Sequence, residues 1–528
     1  MKKAVYIFSM VFVAKLIINL FVIKYPFFST LDTCTIMKAS KNIFENCSNL
    51  IKISNSPETT FLYPALMNPL FLLTNKITAF KIGIAINTLI GASILIPLYH
   101  LFGHFLKNKN HSIFLAILVY LIPTVASYEL SLTHHILLIA STVWTIYFYL
   151  VKQKIRFYLP AAIITAISSP LGIIMLLAII VNKLICNRNK KQLAIFLGPV
   201  LILGALFISV FLLENPNFKA NLVFLSQNIS IYELFYNLLK IVNTLILTTF
   251  LLPLIAIILL LSEKSPAYFK KAKLFITIVL LLNIFWSTIW MSANEGISNA
   301  AININSQIQI ISTLVIVLFG LIHISNLKSS KYSVSKILIL SVLAMFSVFF
   351  VSIRKALLIL GLDTNQYYDY PFFPEQIIGT LNIPMLLLIS ILILGSIIGI
   401  FLHRKQYCYF GLLLTVLIST GINMMNIHNF SRQETRTVNY LKDKPGNILF
   451  IARNEQDITY DYIQLLNRSK NNVNLIYINN TQLRQKIDQN LLEELKDINI
   501  KRIITPLLLD RFVETKIEEN YIYTLDSA

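Results

Sequence analysis

Apolar runs of about 20 residues, the length that crosses a bilayer, alternate with short hydrophilic breaks from the start of the chain to about residue 427. The first run, in MKKAVYIFSMVFVAKLIINLFVIKYPFF, follows a basic pair and has no small-residue cleavage site after it. It predicts an uncleaved first helix. The breaks LKNKNH (106–111), VKQKIRF (151–157), CNRNKKQ (186–192), SEKSPAYFKKAK (262–273), SNLKSSKYSVSK (325–336) and HRKQY (403–407) are all basic. Lys and Arg mark cytoplasmic loops, so these breaks are expected inside. The alternate breaks at 214–233, 291–307 and 363–376 are poor in Lys and rich in Asn, Ser, Tyr and acid, which puts them outside. With 157–185 read as a hairpin of two short helices about SSPLG, the pattern closes at about 13 transmembrane helices, with the N-terminus cytoplasmic and the C-terminus exoplasmic (periplasmic).

After about residue 428 the period changes. Short β-rich runs (ILFIA, VNLIYI, RIITPLLL) alternate with helical patterns, which predicts a small α/β domain with a parallel sheet. The expected fold is therefore a polytopic α-helical membrane domain over 1–427, whose first outer loop covers about 25–79, followed by a soluble exoplasmic α/β domain over 428–528.

Composition agrees. Of 528 residues 56% are hydrophobic and 13% charged, with a mean hydropathy of +0.69, whereas soluble domains carry about a quarter charged residues. The formal charge of +20 is concentrated in the hydrophilic breaks, while the tail is nearly balanced. It reports topology, and no nucleic-acid partner is expected. Cys34 and Cys47 share the first outer loop and either pair there or remain thiols; Cys186 and Cys408 lie beside basic breaks without zinc-ligand spacing. No P-loop, G-x-S-x-G, H-E-x-x-H or G-x-G-x-x-G is present.

Four places carry candidate chemistry. Asp32 follows the first span in FFSTLDTCTIMKASKNIF. A carboxylate just outside the membrane either acts as general base for an acceptor or is a solvated loop acid. FLYPALMNPLFLLTN (61–75) is apolar, punctuated by Pro64 and Pro69, and too short to span. It reads either as a re-entrant or interfacial helix lining a cavity or as the kinked first turns of the second span. Arg354 and Lys355 lie near the outer end of an apolar run, where two cations either snorkel or meet an anion such as a lipid phosphate. The loop after them gathers Asp363, Tyr367, Tyr368, Asp369, Tyr370 and Glu375, which suits sugar binding or an interfacial aromatic belt. Finally, YELSLTHHILL (128–138) places Glu129, His134 and His135 at the outer turn between the third and fourth spans. Adjacent helical residues point to different faces, so a shared metal is not expected there.

The order D-x4-M-K-A-S-K-N-I, then YPALMNPLFLL, then AFKIGIAINTLIGASILIPLYHLFGHFL, the run ending SYELSLTHHILLIASTVWTIYFYL, and YLPAAIITAISSPLGIIMLLAIIVNKLI resembles the GT-C class of membrane glycosyltransferases. That class includes the protein O-mannosyltransferases and the enzymes that move aminoarabinose onto lipid A. The resemblance is strongest over about residues 5–190 and returns in the tail. It implies transfer of a sugar from a polyprenyl-phosphate donor to an acceptor lipid, protein or glycan on the outer side of the plasma (inner) membrane, by an inverting displacement. Residue by residue, Asp32 matches the family's catalytic acid, and Tyr63 and Pro64 match its Y-P segment. Thr33 stands where many members have a second acid, which makes a divalent metal cofactor doubtful. Thr133, His134 and His135 stand where many have an S-E pair at an acceptor-contacting turn.

On this reading Arg354, and then Lys355, stabilise the departing lipid phosphate, while Asp32 receives a proton from, or orients, the acceptor. An activated lipid-linked donor removes the need for a nucleotide site. The main alternative is a multi-span transporter or lipid-linked glycan flippase, which would need access from both faces. A glycan polymerase is the other, expected to carry a dominant outer loop in place of a terminal α/β domain.

Overall fold

The computed structural model describes residues 2–23, 62–73, 76–106, 109–130, 132–169, 172–186 and 267–293. It also describes helical positions between 311 and 322 and between 413 and 428, a short helix at 436–441, and five strands from residue 447 onward. The helices are α1 (Lys2–Val22), α2 (Leu62–Leu73), α3 (Lys76–Ser93), α4 (Leu95–Phe105), α5 (Lys109–Tyr120), α6 (Pro123–Tyr128), α7 (His135–Tyr147), α8 (Ile155–Ser168), α9 (Ile173–Cys186), α10 (Ala267–Ala293) and α11 (Arg436–Leu441). Among the described residues, Val5–Val22, Thr78–Phe105 and His135–Lys152 are long and apolar enough to cross a membrane, and four shorter apolar helices accompany them. The chain is a polytopic helical membrane protein. The expected total of about 13 spans depends on stretches outside the described residues.

The helix ends fall where the hydrophilic breaks predict. α7 continues into a π-helical turn, Phe148–Lys152. Gln153 closes it in the left-handed region at φ 55°, its N–H donating to the Phe148 carbonyl at 2.8 Å. That stop falls inside VKQKIRF, with Lys152 and Lys154 exposed. The hairpin about SSPLG is present: α8 ends at Ser168, α9 begins at Ile173, and the two helices pack together. Its turn requires glycine, because a Cβ on Gly172 would lie 1.8 Å from the Thr165 carbonyl oxygen. α8 also lies along α7, where the Thr145 and Thr165 hydroxyls are 3.0 Å apart.

α2 resolves one of the alternatives above. The Tyr63 hydroxyl, near its start, donates to Asn87 Oδ1 at 2.8 Å, in the fourth turn of α3. Two helices meeting so far from their connection run antiparallel, so 62–73 is a separate helix folded back on α3. It is not the first turns of the second span.

In lipid the hydrophobic effect does not drive helices together, and close packing and interhelical polar contacts take over. Tyr63, Phe102, Tyr120, Tyr149 and Phe275 are fully buried in one continuous core. Equally apolar residues face outward along α1, among them Tyr6, Met10, Ile17 and Phe21, as expected of a lipid-facing surface.

Toward the C-terminus, β1 (Asn447–Ala452), β2 (Val473–Tyr477), β3 (Ile500–Thr505), β4 (Thr515–Ile517) and β5 (Asn520–Thr524) form a sheet of order β2-β1-β3-β5-β4. β1 pairs parallel with β2 and β3, while β5 is antiparallel to β3 and β4. Successive residues Ile448 and Leu449, and Ile503 and Ile504, are all buried although they point to opposite faces. Both faces of these strands are therefore covered, as parallel strands require. The antiparallel pair β4–β5 extends beyond the expected parallel arrangement.

Candidate functional site

Lys15 and Asn19 lie one turn apart on α1, deep within its apolar run. Both are buried, and both reach Glu129 in the turn after α6. Lys15 Nζ is 3.6 Å from Glu129 Oε2. Asn19 Nδ2 donates to the same oxygen at 3.1 Å and to Thr88 Oγ1 on α3 at 2.9 Å. Thr88 passes its own proton back to the Ile84 carbonyl at 2.8 Å. A buried ion pair is costly unless matched and hydrogen-bonded; Glu129 Oε2 has a cation and one amide donor, while Glu129 Oε1 and Lys15 Nζ make no hydrogen bond among the described residues.

Glycine makes room for the carboxylate. A Cβ on Gly91 would lie 2.3 Å from Glu129 Oε1, and one on Gly83 would lie 2.6 Å from Leu132 Cδ2. Gly83, Asn87 and Gly91 recur every fourth residue, hence on one face of α3. That face receives Leu132 at one end, Glu129 at the other, and Tyr63 of α2 between them. The Y-P segment and the outer turn are thus keyed to the same helix.

Asn19 lies about 4.5 Å, and Lys15 about 10 Å, from Val22 along α1 at the helical rise of 1.5 Å per residue. Late in the chain, His428 Nδ1 is 2.9 Å from the Val22 carbonyl oxygen, whereas Thr420 donates to the Leu121 carbonyl oxygen at 2.7 Å. Irregular backbone inside a membrane bundle is tolerated only where protein or a cavity encloses it, and residues 128–130 and 132–136 are all buried.

His134 and His135 do not point to different faces. His134 is the N-cap residue of α7, already in the right-handed helical region at φ −65° and ψ −10°, with its carbonyl accepting from the Leu138 N–H at 3.0 Å, so it is the side chains that turn toward each other. The rings stack, with centroids 4.4 Å apart and planes 22° apart, and Tyr128 stacks on His135 at 4.6 Å. Both His135 nitrogens are buried without a hydrogen-bond partner among the described residues. Among the described residues no group of three or more His, Cys, Asp or Glu could hold a metal ion.

Of the residues singled out in the sequence, the fold brings Tyr63 and the Glu129–His135 turn onto adjoining sides of α3, with Pro64 beside Tyr63 at the start of α2. Asp32, Arg354, Lys355, Asp363, Tyr367, Tyr368 and Asp369 lie outside the described residues. Lys15 and Asn19 were not singled out; the available signal was a lysine in the middle of a span, with an amide four residues later.

No protein-family model and no curated protein sequence matches the chain. Among solved structures it is similar to ArnT from Cupriavidus metallidurans in the apo state, with a TM-score of 0.52 at 12% identity, covering 98% of this chain and 97% of that one. It is likewise similar to ArnT from the same organism bound to undecaprenyl phosphate, with a TM-score of 0.50 at 10% identity, covering 99% and 98%. The likeness runs nearly end to end on both chains and shows a shared fold.

Proposed function

We propose that this protein is a membrane glycosyltransferase that takes a sugar from a polyprenyl-phosphate carrier and passes it to an acceptor on the outer side of the plasma (inner) membrane. The observation that carries this reading is the end-to-end likeness to ArnT, one structure of which holds undecaprenyl phosphate. The order of motifs from Asp32 to SSPLG supports it independently. The N-terminus is cytoplasmic and the C-terminus exoplasmic.

The carrier phosphate is the leaving group. Arg354 presents a planar fork of donors that matches phosphate oxygens, and Lys355 adds a second cation, so negative charge developing on the phosphate is stabilised as the glycosidic bond breaks. Asp32 takes the proton of the acceptor hydroxyl, or orients an acceptor amine, from the opposite side of the anomeric carbon, and configuration inverts. Tyr63, Pro64, His134 and His135 line the acceptor side. Asp363, Tyr367, Tyr368 and Asp369 hold the sugar through carboxylate–hydroxyl bonds and ring stacking. The acceptor is a lipid such as lipid A, a protein or a glycan.

The test is transfer in proteoliposomes supplied with undecaprenyl-phosphate-linked sugars and candidate acceptors. Arg354→Gln is expected to lower kcat/KM for the lipid donor by about 10²–10³, while Arg354→Lys keeps part of the activity. Full activity in Arg354→Gln would remove the phosphate-binding assignment. Movement of labelled lipid across the bilayer without sugar transfer would favour the flippase.

A further inference from the structure

We propose that Lys15 is a positioning residue: acting through Glu129, it sets the depth and register of the turn that carries His134 and His135. The inference rests on the transferase reading for its kinetic consequence and on the geometry alone for its structural one.

A helix that only anchors the chain has no need of a lysine inside its span. Buried ion pairs are often no better for stability than apolar residues of the same volume; their best-attested use is to select one register. Here the pair joins three elements. Lys15 and Asn19 come from α1, Thr88 and the Gly91 seat from α3, and Glu129 from the turn. One amide, Asn19 Nδ2, is shared between Thr88 and Glu129 and so fixes α1 and the turn against the same point of α3.

The turn has a second anchor two helical turns away, where Leu132 enters the space left by Gly83. A shift of the turn by one residue along α3 would carry both side chains off their glycines and onto positions with a Cβ. Leu132 fits through shape alone, but Glu129 also needs its cation. Its carboxylate is wholly enclosed and engaged with Lys15 and Asn19, which holds the turn. His134 and His135 follow within six residues of Glu129, with Tyr128 stacked on His135 from the preceding helix. Lys15 thereby ties α1 to the turn that carries the imidazoles.

The experiment uses the full chain with its four cysteines replaced by serine and Thr133→Cys introduced in the turn. Labelling by a membrane-impermeant maleimide from the outer side is followed with Lys15 intact and in Lys15→Met. Because an unpaired Glu129 can unfold the chain, Lys15→Met/Glu129→Gln, which buries no net charge, carries the same test. Thr133 is buried, so labelling is slow with Lys15 intact and is expected to rise about tenfold or more in both variants as local opening of the turn becomes easier, while each remains monodisperse. Without Thr133→Cys, the same variants are expected to lose about tenfold or more in kcat, with donor KM changed by less than about threefold. Lys15→Arg is expected to restore slow labelling and most of kcat. Unchanged labelling in the neutral double variant overturns the proposal, and so does increased labelling with unchanged kcat. If the wild-type chain transfers no sugar at all, the transferase reading falls, and the labelling alone decides whether Lys15 holds the turn.

Discussion

Asp32→Asn is expected to reduce sugar transfer by about 10²–10⁴, the contribution of a positioned general base, with little change in affinity for undecaprenyl phosphate. The amide has nearly the shape of the carboxylate but cannot take the acceptor proton or offset charge on an acceptor amine. Its effect therefore falls on kcat. Asp32→Glu, which keeps the charge but moves it by a methylene, is expected to retain partial activity. The measurement is single-turnover transfer in membranes loaded with lipid-linked sugar, compared with undecaprenyl phosphate binding by the same variants. Full transfer in Asp32→Asn would remove it from the catalytic role and leave it a solvated loop acid.

Gly91→Leu is expected to destabilise the helical bundle by about 3–5 kcal/mol, the usual consequence of parting a buried ion pair. The first carbon of any side chain at residue 91 would already lie 2.3 Å from Glu129 Oε1 and 3.0 Å from its Cγ. A leucine must displace the carboxylate from Lys15 and Asn19, leaving a cation in an apolar interior. Gly103→Leu is the control. That glycine is exposed and a Cβ there meets Ser112 Oγ at 3.9 Å, so the change is expected to stay within about 0.5 kcal/mol. Thermal unfolding of the purified chain in detergent separates the two. Equal midpoints for both variants would show that Glu129 does not occupy the space at Gly91.

Much of the fold was legible because membrane helices and turns follow local rules. Basic breaks mark where α7 stops, and Pro170 and Gly172 in SSPLG mark a turn whose geometry admits no Cβ. ILFIA, VNLIYI and RIITPLLL announce strands by their β-rich composition. β4 and β5 were less visible, being TKI and NYIYT on either side of a short acidic stretch, with too little apolar length to register. The polar cluster was legible only in halves. Glu129 stood out as an acid in an outer turn, but Asn19 is 110 residues away from it in sequence, and no local period links the two. His134 and His135 were assigned to different faces by a rule for regular helices. His134 caps the helix in helical backbone geometry, yet its ring turns onto His135 in a turn placed by the docking of Glu129 and Leu132 on α3. That docking is a tertiary fact, and only the spacing of Gly83, Asn87 and Gly91 hints at it.

The most direct test of the central claim is a cryo-EM structure of the full chain in a lipid nanodisc with undecaprenyl phosphate. The account predicts the phosphate within hydrogen-bond reach of Arg354, Asp32 facing the same cavity from across it, and the isoprenoid chain leaving sideways into the bilayer. A lipid threaded through a passage open to both faces of the membrane, or a phosphate remote from both Arg354 and Asp32, would contradict it.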